Sequence, residues 1–168
     1  MKYIAFLTFF LLQLNALEIP RSMQANFVQT VTNEHNQSIA YEGSLVYVAP
    51  DKTKWIYTKP APKTICTDAN NITIIEDDLE QATLYKNQNH IDFMQLYQDA
   101  VELENNRYVT YFQDNKYFFE TNGGKLYKLY YTDALNNESQ IEFNDVIYDK
   151  TFDFQNCVIP QGYDVILE

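Results

Sequence analysis

The sequence predicts a mainly β protein of the α+β class, a long antiparallel meander with one helix inserted midway. Three observations predict it. Short runs rich in Tyr, Phe, Val, Ile and Thr alternate apolar and polar residues at period two. Clusters of Asp, Asn, Pro and Gly separate the runs, as turn chemistry requires. Behind the first residues of the chain the period shifts to helical spacing only once. Short, evenly spaced strands of this kind build a sandwich, a barrel or a strongly curved sheet.

The elements follow in order. Met1 and Lys2 make a short basic start, and Tyr3 to Leu14 is apolar apart from Thr8 and Gln13. Leu14-Asn15-Ala16 then offers a signal-peptidase site ending in a small residue. We therefore expect residues 1–16 to be a cleaved signal peptide and residues 17–168 a single domain; the alternative is an uncleaved anchor. The apolar stretch is shorter than the roughly 20 residues of a membrane span. No cysteine stands near its end, so we expect export without a lipid anchor.

Phe27 to Val31 is a first strand and Ile39 to Ala49 a second, with Tyr41, Gly43, Leu45 and Tyr47 on one face. Pro50-Asp51 turns the chain into a third strand around Trp55-Ile56-Tyr57, which ends at Pro60 and Pro62. Thr64 to Thr67, Ile72 to Ile75 and Ala82 to Lys86 follow. His90 to Leu103 places Ile91, Met94, Tyr97 and Val101 at helical spacing, with Phe93 and Leu96 beside them, and predicts the amphipathic helix. Strands resume at Tyr108 to Phe112 and Tyr117 to Thr121. Asn122-Gly123-Gly124 is a hairpin turn. Leu126 to Tyr131, Ser139 to Tyr148 and Phe152 to Val158 complete the set.

Composition excludes several functions. The chain carries 23 acidic and 12 basic side chains, a net charge of −11, and loss of Lys2 with the leader would deepen it. Phosphate neutralisation needs clustered Lys and Arg, so no nucleic-acid partner is expected. With 46% hydrophobic and 15% aromatic residues, disorder is excluded as well. Cys66 and Cys157 leave two alternatives, one disulfide or two buried thiols on separate strands. A disulfide closing so long a loop would contribute on the order of 4 kcal/mol.

We find no catalytic signature. A G-x-S-x-G elbow, a Gly-rich phosphate loop and an H-E-x-x-H pair are all missing. His35 sits in a polar loop and His90 begins the helix, and neither shares ligand spacing with the cysteines, so neither a metal nor a cofactor is expected. Glu76-Asp77-Asp78-Glu80 lacks the alternating register of a calcium loop and reads as a solvated turn. Lys52, Lys54, Lys59 and Lys63 cluster within one stretch. We read them as a solvated hairpin edge ahead of a docking patch for an acidic partner.

What stands out is the apolar excess on strands. A curved sheet that does not close leaves its concave face in need of cover, and an amphipathic helix can supply it. Where the two do not pack to full density, an apolar cavity suited to acyl chains results. The competing reading is aromatics packed on one another.

A series of short pieces then adds to this reading. Phe27-Val28-Gln29 stands in the first strand, and Gly43-Ser44-Leu45 with Pro50 in the second. Trp55-Ile56-Tyr57 with Pro60 and Pro62 follows, then Thr67-Asp68, then Ile72 to Ile75 leading into Asp77-Asp78-Leu79-Glu80-Gln81. Pro160-Gln161-Gly162-Tyr163-Asp164-Val165 closes the chain. In order and spacing the set resembles the LolA family of periplasmic carriers that move lipoproteins to the outer membrane. The resemblance implies an incomplete antiparallel β-barrel covered by a helical lid, with a cavity for the acyl chains of lipoproteins. It implies acylated lipoproteins as cargo, an inner-membrane lipoprotein-releasing ABC transporter as donor, an outer-membrane receptor as acceptor, and a monomeric carrier. It implies no enzymatic activity.

The chain departs from the family's pattern in four places. Ala49 stands where the family has the Arg that holds the lid closed, and Thr53 where a larger apolar residue is usual. The N-terminal lid helix is truncated, with only Leu17 to Ala25 available and Pro20 inside it. The region beyond residue 106 is short by about one strand.

By parity with the matched positions, the cavity residues are expected to be Phe27, Leu45, Tyr47, Trp55 and Tyr57, and the lid residues Ile91, Phe93, Met94 and Tyr97. Met suits a surface that accepts varied chains. Two other readings compete: a periplasmic sensor or regulatory module on the same fold, and a carrier of another lipid or a glycolipid.

Overall fold

The computed structural model describes Leu17 and residues 20–68, 71–86, 93–112, 114–133, 135–152 and 154–168. The proposed leader and the expected lid residue Ile91 lie outside these residues. The described chain forms one open, 12-stranded sheet. Its first half is β1 (Ser22–Thr32), β2 (Ser38–Val48), β3 (Lys52–Lys59), β4 (Lys63–Thr67), β5 (Asn71–Glu76) and β6 (Gln81–Lys86). Its second half is β7 (Val101–Glu104), β8 (Arg107–Phe112), β9 (Asn115–Asn122), β10 (Lys125–Thr132) and β11 (Glu138–Tyr148). Between the halves lies one short helix, α1 (Phe93–Gln98), and the chain closes with β12 (Asp164–Leu167).

Each half is a meander, but the sheet as a whole is not. The strand order is β12-β6-β5-β4-β3-β2-β1-β11-β10-β9-β8-β7. β1 therefore sits in the middle, with β2 on one side and β11 on the other, both antiparallel. β6 and β7 stand near opposite edges, so the segment that joins them must traverse a face of the sheet. α1 lies on that traverse and buries Met94, Leu96 and Tyr97 in the core.

Register fixes two faces. Phe27 pairs with Gly43, which pairs with Tyr57; Ala25 pairs with Leu45, which pairs with Trp55. These side chains share the inner face with Met23, Tyr47, Phe119, Leu126, Leu129, Ile141 and Phe143, and together they form the core. The Phe27 ring crosses onto the neighbouring strand at Gly43, where a Cβ would meet the ring at 2.6 Å and the Ile56 carbonyl oxygen at 2.2 Å. Only glycine fits that approach. The inner face is concave. Trp55 on β3 and Phe143 on β11 are three strands apart, about 14 Å on a flat sheet, yet their ring centroids lie 6.2 Å apart.

Three expectations are corrected. The helix expected over His90 to Leu103 is described only as Phe93–Gln98. Val101-Glu102-Leu103-Glu104 alternates at period two and pairs with β8 as an edge strand. The described residues from Phe152 to Val158 are irregular rather than a strand. The Asp149 carboxylate accepts from the Arg21 amide at 2.6 Å, and Cys157 joins Cys66 in a disulfide with Cα atoms 5.9 Å apart. The segment is held at both ends by these contacts, and its described residues join no strand. The strand forms farther on, where Asp164–Leu167 adds in parallel to β6. Finally, Ser22 to Ala25 belongs to β1 and not to an N-terminal helix.

Candidate functional site

Between the two halves of the sheet the inner face does not pack solid. A hollow of ≈230 Å³ remains, lined by Gln29, Trp55, Tyr57, Ile65, Thr67, Leu96, Tyr117, Leu129, Tyr131 and Ile141. The first half supplies one wall: Trp55 and Tyr57 on β3, Ile65 and Thr67 on β4. The second half supplies the other from β9, β10 and β11: Tyr117, Leu129, Tyr131 and Ile141. Leu96 of α1 covers part of the space. Burial costs these residues nothing in unpaired polar groups, because the wall is apolar except at one end.

Aromatic packing holds the first wall in place. Phe27 meets Trp55 edge on at 5.2 Å and Tyr57 at 5.0 Å between centroids. Such T-shaped pairs fix ring orientation beyond what area burial alone would do. Behind the deeper end, the buried hydroxyls of Thr53 and Thr67 bond across β3 and β4 at 2.5 Å.

The other end of the hollow is polar. The Tyr57 hydroxyl donates to Gln29 Oε1 at 2.9 Å, and Gln29 Nε2 donates to Ser139 Oγ at 2.9 Å. Burial pushes the Tyr57 phenol far above its ordinary pKa, and nearby Tyr131 and Tyr41 add to the effect. Tyr117 is raised chiefly by burial, then by Tyr131. Both phenols stay neutral donors at any physiological pH.

Of the residues expected at the cavity, Trp55 and Tyr57 line it. Phe27, Leu45 and Tyr47 share their face but are fully buried beneath, at 2%, 0% and 1% exposure. Of the residues expected in the lid, Met94 and Tyr97 are buried in the core, Tyr97 against Phe119 at 5.4 Å, and Phe93 starts α1. The hollow's contact with α1 is instead Leu96. Parity could mark Tyr117, Leu129, Tyr131 and Ile141 as inner-facing. Nothing in the local sequence says that β11 pairs with β1, and that pairing makes them the opposite wall. Gln29, Ile65 and Thr67 have the matched parity too but read as ordinary strand residues.

A larger groove of ≈620 Å³ opens elsewhere, at the strand ends near Thr30, Gln140, Tyr130 and Phe118. Its floor is the Phe118–Tyr130 stack, 4.7 Å between centroids and 7° from parallel. Its border mixes hydroxyls, amides and charges, so its lining is not the apolar one that an acyl chain needs. Among the described residues, no group of three or more His, Cys, Asp and Glu side chains is arranged to hold a metal ion. No described helix is long and apolar enough to cross a membrane.

Residues 20–120 match the sequence profile described as "Outer membrane lipoprotein carrier protein LolA". A protein of Wolinella succinogenes named "Outer-membrane lipoprotein carrier protein" is 34% identical over 135 residues, covering 80% of this chain and 78% of that one. A Campylobacter jejuni protein of the same name is 28% identical over 166 residues, covering 96% of this chain and 97% of that one. Among solved structures, an uncharacterized conserved protein from Thermus thermophilus superposes with a TM-score of 0.56 at 8% identity. That superposition covers 89% of this chain and 92% of the other, a likeness of fold alone.

Proposed function

The chain belongs to the LolA family of outer membrane lipoprotein carriers, and from that premise we propose how it holds its cargo. It is a periplasmic carrier whose hollow takes acyl chains of lipoproteins between the two walls, under α1. The observation that carries this reading is the hollow itself: an apolar space bounded by both halves of a curved sheet and by one helix.

The physics of carriage follows. Each methylene withdrawn from water is worth roughly 0.8 kcal/mol. A lipoprotein with several long chains therefore does not cross an aqueous space unaided. A carrier must also release, and its cover should be marginal. α1 suits that demand. At six residues it is far below the about 12–15 at which an isolated helix becomes even marginal. The packing of Met94, Leu96 and Tyr97 in the core holds it against the sheet. α1 serves as the lid in this reading. The hollow, open to one side, is smaller than the about 300–1,000 Å³ of usual ligand sites, so loading widens it by moving the cover. No bond is made or broken.

The wider pathway completes the proposal. Residues 1–16 direct export and are removed. The monomer takes cargo from an inner-membrane lipoprotein-releasing ABC transporter and hands it to an outer-membrane receptor or directly to that membrane. Ala49, where the family has Arg, leaves the burial of α1 residues as the latch.

The test is purification of the protein from the periplasm and mass spectrometry of what comes with it. Bound acylated lipoproteins are expected. Glycolipid alone would replace this reading with that of a carrier of another lipid. Recovery without any acylated ligand would favour the sensor or regulatory module.

A further inference from the structure

Lys63 opens β4 on the inner face, two residues before Ile65 of the hollow's wall, with Tyr57 as its register partner. Its Nζ stands 4.9 Å from the centroid of the Tyr57 ring and 5.9 Å from that of Tyr41. The two rings meet edge on at 6.1 Å. Tyr57, Gln29 and Ser139 form one hydrogen-bonded chain beside them, and Tyr57 and Gln29 both face the hollow. The Tyr57 and Gln29 end of the hollow therefore adjoins an ammonium, a second phenol and a hydroxyl, while Trp55 and Ile65 line its apolar part.

Most basic side chains among the described residues have no ion pair, and Lys63 differs from them in being half-buried on the inner face. Acidic side chains outnumber basic ones 23 to 12 in this chain. Lys59, Arg107 and Lys128 each pair with a carboxylate, at 3.0, 3.5 and 2.9 Å. Lys63 is half-buried, and among the described residues no ion pair of 4.0 Å or less reaches it. The two ring faces offset only part of the cost of withdrawing an ammonium from water. An anion at that point would offset the rest, and a single chain in the hollow that ends in a free carboxylate would bring one there, as an ester- or amide-linked chain would not.

We propose that Lys63, braced on Tyr57 and Tyr41, is a headgroup site for a single-chain acyl carboxylate whose tail lies in the hollow beside Trp55. The inference rests on the acyl-binding reading above and adds the class of ligand and the residue that selects it. Before the cover moves, the hollow has room for one chain at most. The neutral Tyr57 phenol adds a donor and no competing negative charge.

Trp55 is the chain's single tryptophan and lines the hollow, so its fluorescence reports occupancy directly. The purified protein is titrated with ω-bromododecanoate and with neutral ω-bromododecanol, whose bromine quenches on contact. The carboxylate should bind about tenfold tighter, as a charge-assisted contact predicts. Lys63→Met should remove that preference and leave the alcohol's affinity unchanged, Lys63→Arg should keep it, and added salt should shrink it. Equal binding of acid and alcohol by the native protein overturns the headgroup site while acyl binding stands, as does equal weakening of both ligands by Lys63→Met. Quenching by neither overturns the headgroup site and the acyl-binding reading together.

Discussion

The two walls of the hollow are fastened differently. The wall of β3 and β4 lies in a half whose edge strand, β12, is four exposed residues long, as β7 is at the opposite edge, but is preceded by a cross-linked segment. β12 adds to β6, with the Glu168 amide donating to the Leu84 carbonyl at 3.0 Å and the Asp164 amide to the Glu80 carbonyl at 2.9 Å. The Tyr163 hydroxyl donates to Asp77 at 2.8 Å, and the disulfide ties the preceding segment to β4. The wall of β9 to β11 has no disulfide among the described residues; the Lys128–Glu142 ion pair at 2.9 Å and the Leu126 amide donating to the Tyr148 hydroxyl at 2.7 Å join its strands. Its half ends at β7, four exposed residues long, with Val101 66% and Leu103 53% exposed. One wall carries a covalent cross-link, and the other is joined by hydrogen bonds and ion pairs. Opening should therefore begin at α1 and β7, where few apolar contacts hold the backbone.

Substitutions can break or sharpen that contrast. The largest effect is expected for Trp55→Glu, which puts a charge into the cross-linked wall. Loading of acylated cargo should be abolished, measured as co-purifying lipoprotein, while the thermal unfolding transition persists. Undiminished loading would remove Trp55 from the site.

Next, replacing both Cys66 and Cys157 with Ser should cost about 4 kcal/mol, read from the urea midpoint. Amide exchange should rise in β4, β5, β6 and β12 more than in β9 to β11. A uniform rise would erase the distinction between the walls. Third, Leu96→Ala should cost roughly 2–4 kcal/mol, the range for a buried Leu truncation. Exchange in α1 should quicken first, and the enlarged hollow should quench Trp55 more fully with long-chain brominated ligands. The smallest effect is expected on the outside of the cross-linked wall. Lys59 and Glu42 are 70% and 53% exposed, so Lys59→Ala should change stability by less than about 0.5 kcal/mol.

Most of the strands were legible because period-two alternation and turn residues are local signals. Phe27 to Val31 grew to an eleven-residue strand and Ser139 to Tyr148 gained one residue, without a change of face. Two kinds of feature were not legible. One was competition between periods: Val101 serves a helical face and a strand equally well, and its partner Val109 on β8 decides. The other was long-range placement. Phe152 and Phe154 look like strand residues, but in the segment that ends at the disulfide they join no strand. For the hollow, the parity of Trp55 and Tyr57 pointed inward correctly. The same parity could not separate them from Phe27, Leu45 and Tyr47, whose packing depth depends on curvature.

The position of β1 has a consequence for how the molecule assembles. Its pairing with β2 needs only a hairpin, but its pairing with β11 joins Met23 to Tyr148. The middle of the sheet is closed by residues from near both ends of the chain. Each half can zip up from neighbouring hairpins while the join between them waits for nearly the whole polypeptide, and high contact order of this kind makes for slow folding. Until that seam closes, β1 and β11 are open borders, and the acyl compartment does not yet exist.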